Sequence, residues 1–195
     1  MPLIQNRSYD LIVMGTNGLS GLKRFLLGSV TENVVRTSKI PVFTIRQMEH
    51  NFINVDQVEA IPRLERILCP CNSHESALPA LRIALSIAQR FNSRLTVLYT
   101  IEKEKKPDPK MADMKSLCSW LSDTLPSQCA FEPVIREGNA AEQIISLAKE
   151  GKDDIIILGA NHKPFMESSF LGRTTELVLR HAPVPVLVVP HFPEQ

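Results

Sequence analysis

The chain has 195 residues, of which 44% are hydrophobic and 22% charged, enough for one soluble domain with residues to spare or two small ones. Lys and Arg number 22 against 21 Asp and Glu, and a net charge of +1 lacks the basic excess of a nucleic-acid binder. The longest apolar runs, Ile155 to Leu158 and Val184 to Val189, fall far short of the about 20 residues that cross a bilayer, and MPLIQNRSYD lacks the charged-then-apolar order of a signal peptide.

Leu11–Met14 is a short apolar run stopped by glycine and reads as a buried strand. Ser29–Thr37 reads as a helix, with Ser29 as N-cap and Glu32 closing a capping box. Val42–Ile45, after Pro41, completes a strand–helix–strand unit, which favours a parallel pair with a right-handed crossover. Residues 47–64 have weak periodicity and read as a linker. Beyond it strands and helices alternate. Strands are expected at Arg66–Pro70, Leu95–Ile101, Phe131–Arg136, Asp154–Leu158 and Val186–Val189. Helices are expected at His74–Phe91, Met111–Leu125, Ala140–Lys149 and Thr174–His181. The first of these helices carries its apolar stripe at Ala77, Leu78, Leu81, Leu85 and Ala88. Five strands alternating with four helices argue for an α/β domain with a mostly parallel sheet and helices on both faces.

The most informative feature is an internal repeat. Asp10–Arg46 aligns without a gap on Asp154–Pro190, an offset of 144 residues. Of 37 aligned positions 12 are identical, among them Asp10/Asp154, Gly15/Gly159, Gly28/Gly172, Thr31/Thr175, Glu32/Glu176 and Pro41/Pro185. Chance gives about two or three at average composition. The second segment is preceded by its own front half, starting near Glu65. At the same offset the front half of the first would fall before residue 1. The expected organisation is a partial unit at 1–46, a linker at 47–64 and a complete unit at 65–195.

After the first strand comes Gly15-Thr-Asn-Gly18, then nine residues, then Gly28-Ser29 at a helix start. Glycines allow a backbone to approach phosphate closely, and unpaired N–H groups at a helix start favour an anion. Lys23 and Arg24 lie in the intervening loop and add charge. The bland alternative is that the glycines only end a strand and admit a helix.

These residues resemble the universal stress protein family, whose nucleotide motif G-x2-G-x9-G-[ST] is matched by Gly15, Gly18, Gly28 and Ser29. The words DLIVMGTNG and LLGSVTENVV are similar to its ATP-binding branch, and the resemblance resumes at Arg66 and covers the rest of the chain. It implies a Rossmann-like, five-stranded α/β domain of the adenine-nucleotide α-hydrolase type, with a partial domain in front. It also implies a stress-response role without established catalysis and, in the ATP branch, bound adenine nucleotide. The second segment departs from the motif. Gly159 and Gly172 match, but His162 stands at the second glycine and Arg173 at the Ser or Thr. Asn72 stands where the ATP branch places an aspartate on the nucleoside. A side chain at His162 obstructs close backbone approach. Arg173 cannot cap with a hydroxyl but can pair with phosphate. The segment with the intact loop lacks a front half, and the segment with a complete body has an altered loop.

The remaining polar residues suggest little chemistry. Cys69 and Cys71, two apart, point to one side of a strand and read as a buried position and a loop residue. The 4 cysteines match no zinc spacing, so reduced thiols in the cytoplasm are expected. His50, His74, His162, His181 and His191 form no ligand set, and Lys103–Lys106 is a solvated loop offset by Glu102 and Glu104.

Assembly follows from the missing front half. By the family resemblance, Val42–Ile45 pairs with Val186–Val189 in the same chain. Leu11–Met14 then has a free edge, which proteins seldom leave bare, and pairing with the same edge of a second chain gives a homodimer. Three functions stay open: a nucleotide-binding regulatory protein, an interaction module without nucleotide, and a weak ATP-hydrolysing enzyme. No catalytic Ser/His/Asp set, paired carboxylates or metal cluster supports the last.

Overall fold

The structure, a computed structural model, describes residues 9–16, 27–46, 64–71, 74–102, 109, 113–124, 131–161 and 171–191. Among the described residues twelve elements run in chain order: β1 (Ile12–Gly15), α1 (Ser29–Thr37), β2 (Val42–Ile45), β3 (Arg66–Cys71), α2 (His74–Phe91), β4 (Arg94–Ile101), α3 (Met114–Thr124), β5 (Phe131–Glu137), α4 (Ala140–Gly151), β6 (Ile155–Asn161), α5 (Arg173–His181) and β7 (Val186–His191). Apolar periodicity located every one, and the differences lie at the ends. The expected linker falls outside the described residues except for Leu64.

All the strands join one seven-stranded sheet in the order β1-β2-β7-β6-β3-β4-β5. The expectation of five strands is therefore corrected: β1 and β2 extend the sheet beyond β7. Every neighbouring pair is parallel except β2–β7, which is antiparallel. That junction is the pairing expected of Val42–Ile45 with Val186–Val189.

Side chains alternate across each strand and feed two cores. One face packs Ile67, Cys69, Val97, Ile157 and Leu187 against α2 and α3. The other packs Leu68, Ile156, Leu158, Val42 and Val188 against α1, α4 and α5. Cys71 is the last residue of β3 and is buried, not a loop residue as expected; its Sγ lies 3.9 Å from the Cys69 carbonyl oxygen. Beside it, the Cys69 thiol has its pKa raised by the contact with Cys71 and by burial.

The repeated segments adopt one local structure. β1 pairs with β2 at Ile12–Val42 through Gly15–Ile45. β6 pairs with β7 at Ile156–Val186 through Gly159–Val189, the same register 144 residues on. Backbone bonds repeat too: Ile12 N to Pro41 O and Ile156 N to Pro185 O are both 3.0 Å. Across β2–β7, Val42 faces Val188, Phe43 faces Leu187 and Thr44 faces Val186. Phe43 and Leu187 occupy equivalent places in the repeat, so a local pseudo-two-fold axis passes through that pair. The Thr44 hydroxyl, buried there, donates to the Val186 carbonyl at 3.0 Å.

Candidate functional site

Open parallel sheets bind ligands beyond the carboxyl ends of their strands, where the direction of chain winding reverses. That point lies between β3 and β6: β4 and β5 follow outward on one side of β3, and β6 and β7 on the other. The two strands pair only at Ile67–Ile155 and Leu68–Ile156. Past that point β3 stays paired with β4 as far as Cys71–Tyr99, and β6 with β7 as far as Asn161–His191. The central strands thus stop pairing with each other before their carboxyl ends, which lie at Cys71 and Asn161.

Gly159 lies in β6 on the approach to that end, and Gly172 is the N-cap of α5, with extended-type angles and no side-chain cap bond. The Gly172 carbonyl accepts from Glu176 N at 3.0 Å, and Gly172 brings no side-chain acceptor to the amides of the first helical turn. Arg173 is the first helical residue and is exposed. Asn72 and His162, the remaining positions of the altered motif, lie outside the described residues.

The first segment repeats the same strand end and helix start. Gly15 ends β1, and the Thr31 hydroxyl in the first turns of α1 donates to its carbonyl at 2.9 Å. Gly28 N donates to Thr16 O at 3.1 Å, and Thr16 N to Ile45 O at 3.0 Å, so both ends of the loop are tied to the sheet. The Thr16 hydroxyl is buried and has no hydrogen-bond partner among the described residues. Gly28, not Ser29, is the N-cap of α1; the expected capping box is absent, and exposed Ser29 is the first helical residue. Gly18 lies outside the described residues, as do Lys23 and Arg24.

Backbone conformation does not demand the glycines. Among the described residues the only glycine at positive φ is Gly138, at 127° in the β5–α4 turn. A Cβ on Gly15 would meet the Ile45 carbonyl at 3.9 Å, and one on Gly172 the Thr175 hydroxyl at 4.0 Å, both ordinary contacts.

Two features escaped the sequence reading. Asn139 caps α4 by accepting from Glu142 N at 3.2 Å, although an Asn three residues before a Glu is a recognisable start signal. Asp154 accepts from the backbone N–H of Glu65 at 2.6 Å and of Arg66 at 2.9 Å, clamping the start of β3. Its identity with Asp10 was visible in the repeat, but its role requires a neighbouring strand to see. Among the described residues no group of three or more His, Cys, Asp or Glu side chains could hold a metal, and no helix is long and apolar enough to cross a membrane.

A mostly parallel α/β sheet, wound in both directions from β3 and β6, with glycines at strand ends and helix starts, defines a Rossmann-like class of protein. The universal stress protein family model matches residues 3–46 and 63–190, and the chain belongs to that family. The chain is 26% identical over 143 residues to universal stress protein MJ0531 of Methanocaldococcus jannaschii, covering 64% of this chain and 81% of that protein. A universal stress protein structure from Archaeoglobus fulgidus DSM 4304 aligns with 93% of this chain at a TM-score of 0.71 and 26% identity; this chain spans 62% of that longer one. A universal stress protein solved in complex with cAMP aligns with 65% of this chain and 97% of its own at a TM-score of 0.51; at 16% identity the likeness is one of fold.

Proposed function

We propose that this chain is a cytoplasmic stress-response protein of regulatory, non-catalytic type that binds an adenine nucleotide beyond the carboxyl ends of β3 and β6. Residues 65–195 form the complete unit, and residues 1–46 are the back part of a second, joined through 47–64. The end of β3–β6 pairing at the reversal of winding is the observation that carries the site, because open parallel sheets take their ligands at that point. The glycines support the reading. Gly15 and Gly172 are dictated neither by positive φ nor by close neighbours among the described residues, and a backbone bare of side chains suits a phosphate group. The first-turn amides of α5 and the guanidinium of Arg173 would hold the phosphates; the nucleotide itself would report occupancy, with no bond made or broken. The relative bound to cAMP supports an adenine nucleotide as the ligand class.

The test is to denature freshly purified protein and identify the released small molecules by liquid chromatography and mass spectrometry, then to titrate ATP with Mg2+ by thermal shift. Ligand at 100 times its Kd adds about 2.7 kcal/mol to stability. Arg173→Ala is expected to weaken binding about tenfold, as for loss of one charged hydrogen bond. Protein that is empty and gains nothing from added nucleotide would favour a second reading, an interaction module without ligand. The motif departures at Asn72, His162 and Arg173 are the observation behind that alternative.

A further inference from the structure

The two repeated segments share sequence and register but not surroundings. In the complete segment, Ile155, Ile157 and Val189 are 7%, 0% and 3% exposed beneath β3 and α2; their counterparts Leu11, Val13 and Ile45 are 47%, 58% and 42% exposed. This bare strip continues the core already covered by α2, because Phe43 on β2 packs at that core's margin. Among the described residues β1 is also an outermost strand of the sheet. A second observation is independent of exposure. Asp154 accepts two backbone N–H bonds from the start of β3, and its own N–H donates to the Arg66 carbonyl at 2.9 Å. Asp10 is its counterpart and is exposed, and among the described residues no hydrogen bond or ion pair reaches its carboxylate.

We propose that the edge of β1 is a docking site for a strand–helix polypeptide of the β3–α2 kind. The incoming strand would add parallel to β1, with its first two N–H groups on the Asp10 carboxylate, and its amphipathic helix would cover Leu11, Val13 and Ile45. Strand addition of this kind draws affinity from main-chain bonds and specificity from the side chains of one face. Charge complementarity favours this occupant, since a carboxylate at the entry of a strand matches the partial positive charge of paired amides. A second copy of the chain, joined β1 to β1 as the sequence suggested, would satisfy the edge. Pairing at the edge alone would leave Leu11, Val13 and Ile45 bare. The docking site stands apart from nucleotide binding, since it follows from registers and exposures alone.

The probe is a synthetic peptide of residues 64–93, which carries β3 and α2, mixed with the full chain and followed by hydrogen exchange. Exchange over residues 9–16 is expected to slow about tenfold or more. Val13→Asp in the full chain should abolish the protection, and so should I67D in the peptide, because Ile67 faces the residue equivalent to Leu11. Asp10→Ala should weaken binding about tenfold. Both chain positions are exposed, so the variants should fold, and unchanged exchange in β6 and β7 checks that they do. Absence of added protection would overturn the proposal. So would a chain that is dimeric and already protected at residues 9–16 before mixing and becomes monomeric on Val13→Asp, since a second copy would then own the edge. Nucleotide uptake measured on the same samples separates failure of docking from failure of the nucleotide reading.

Discussion

The β1–α1–β2 segment and the β6–α5–β7 segment are one piece of structure placed in two settings. Pairing register, helix length and the backbone bonds at both helix ends agree between them. Burial does not: β6 has neighbours on both sides and β1 on one. The difference teaches which level of sequence controls what. Local residues set the strand, the turn and the helix, whereas burial belongs to residues far away in the chain, those of β3 and α2.

The largest expected contrast comes from truncating equivalent side chains. Ile157→Ala opens a cavity in a filled core and should cost about 2–5 kcal/mol, whereas Val13→Ala at its exposed counterpart should cost less than about 0.5 kcal/mol. Equal losses by denaturant titration would mean that the segments share one environment after all. Next come the threonines that hold the first segment in place. Thr44→Val removes the buried hydroxyl bond across β2–β7, and Thr31→Val removes the bond to Gly15. Each should cost about 1 kcal/mol, or about 2–4 °C in melting temperature for a chain of this size. Thr31→Val should also raise amide exchange at the end of β1, which Thr44→Val should spare.

An effect of similar size separates the segments by pH. Asp153, at the approach to β6, is held up to about 6 by burial and by the charges of Asp154 and Glu132, with Arg66 pulling the other way. Its unfolded value is about 3.9. The folded chain therefore holds the proton more tightly, and this group's contribution to stability falls as pH rises from about 4 to about 6. Asp153→Asn should flatten that slope and raise stability at pH 7 by about 1 kcal/mol once solvent screening is allowed for. The counterpart of Asp153 in the first segment is Tyr9, which is not a carboxylic acid. Smallest is Glu150→Gln. The Arg136 guanidinium and the Ser146 hydroxyl hold the Glu150 carboxyl down to about 2. The support of that surface pair is present at neutral pH and is lost as pH falls through about 2, so the variant should show a shallower acid limb of a melting-temperature profile.

Much of this fold was legible in the sequence. His74–Phe91 and Val42–Ile45 were placed to the residue because an apolar stripe and a flanking proline mark them unambiguously. The sequence places the start of α3 at Met111, whereas the helix begins at Met114, just after Asp113. Asp113 accepts from Ser116 N at 2.8 Å, a start signal weaker to the eye than apolar periodicity. Ser29 was misplaced by one position because hydroxyl caps outnumber glycine caps in general, and here glycine holds the place. The site was legible in its glycine positions, Gly15, Gly28, Gly159 and Gly172. The point at which β3 stops pairing with β6 was not. That depends on strand order, which no single segment encodes.

The Phe43–Leu187 pair has a consequence for how the molecule can change. In an assembly of identical chains, a residue at the two-fold axis meets its own copy, and every substitution strikes twice. Here the two sides of the axis are separate positions in one polypeptide, already occupied by different residues. Each half can vary alone, as the one-sided Thr44 bond illustrates. Because a covalent tether keeps the halves at high effective concentration, their junction is expected to resist dilution.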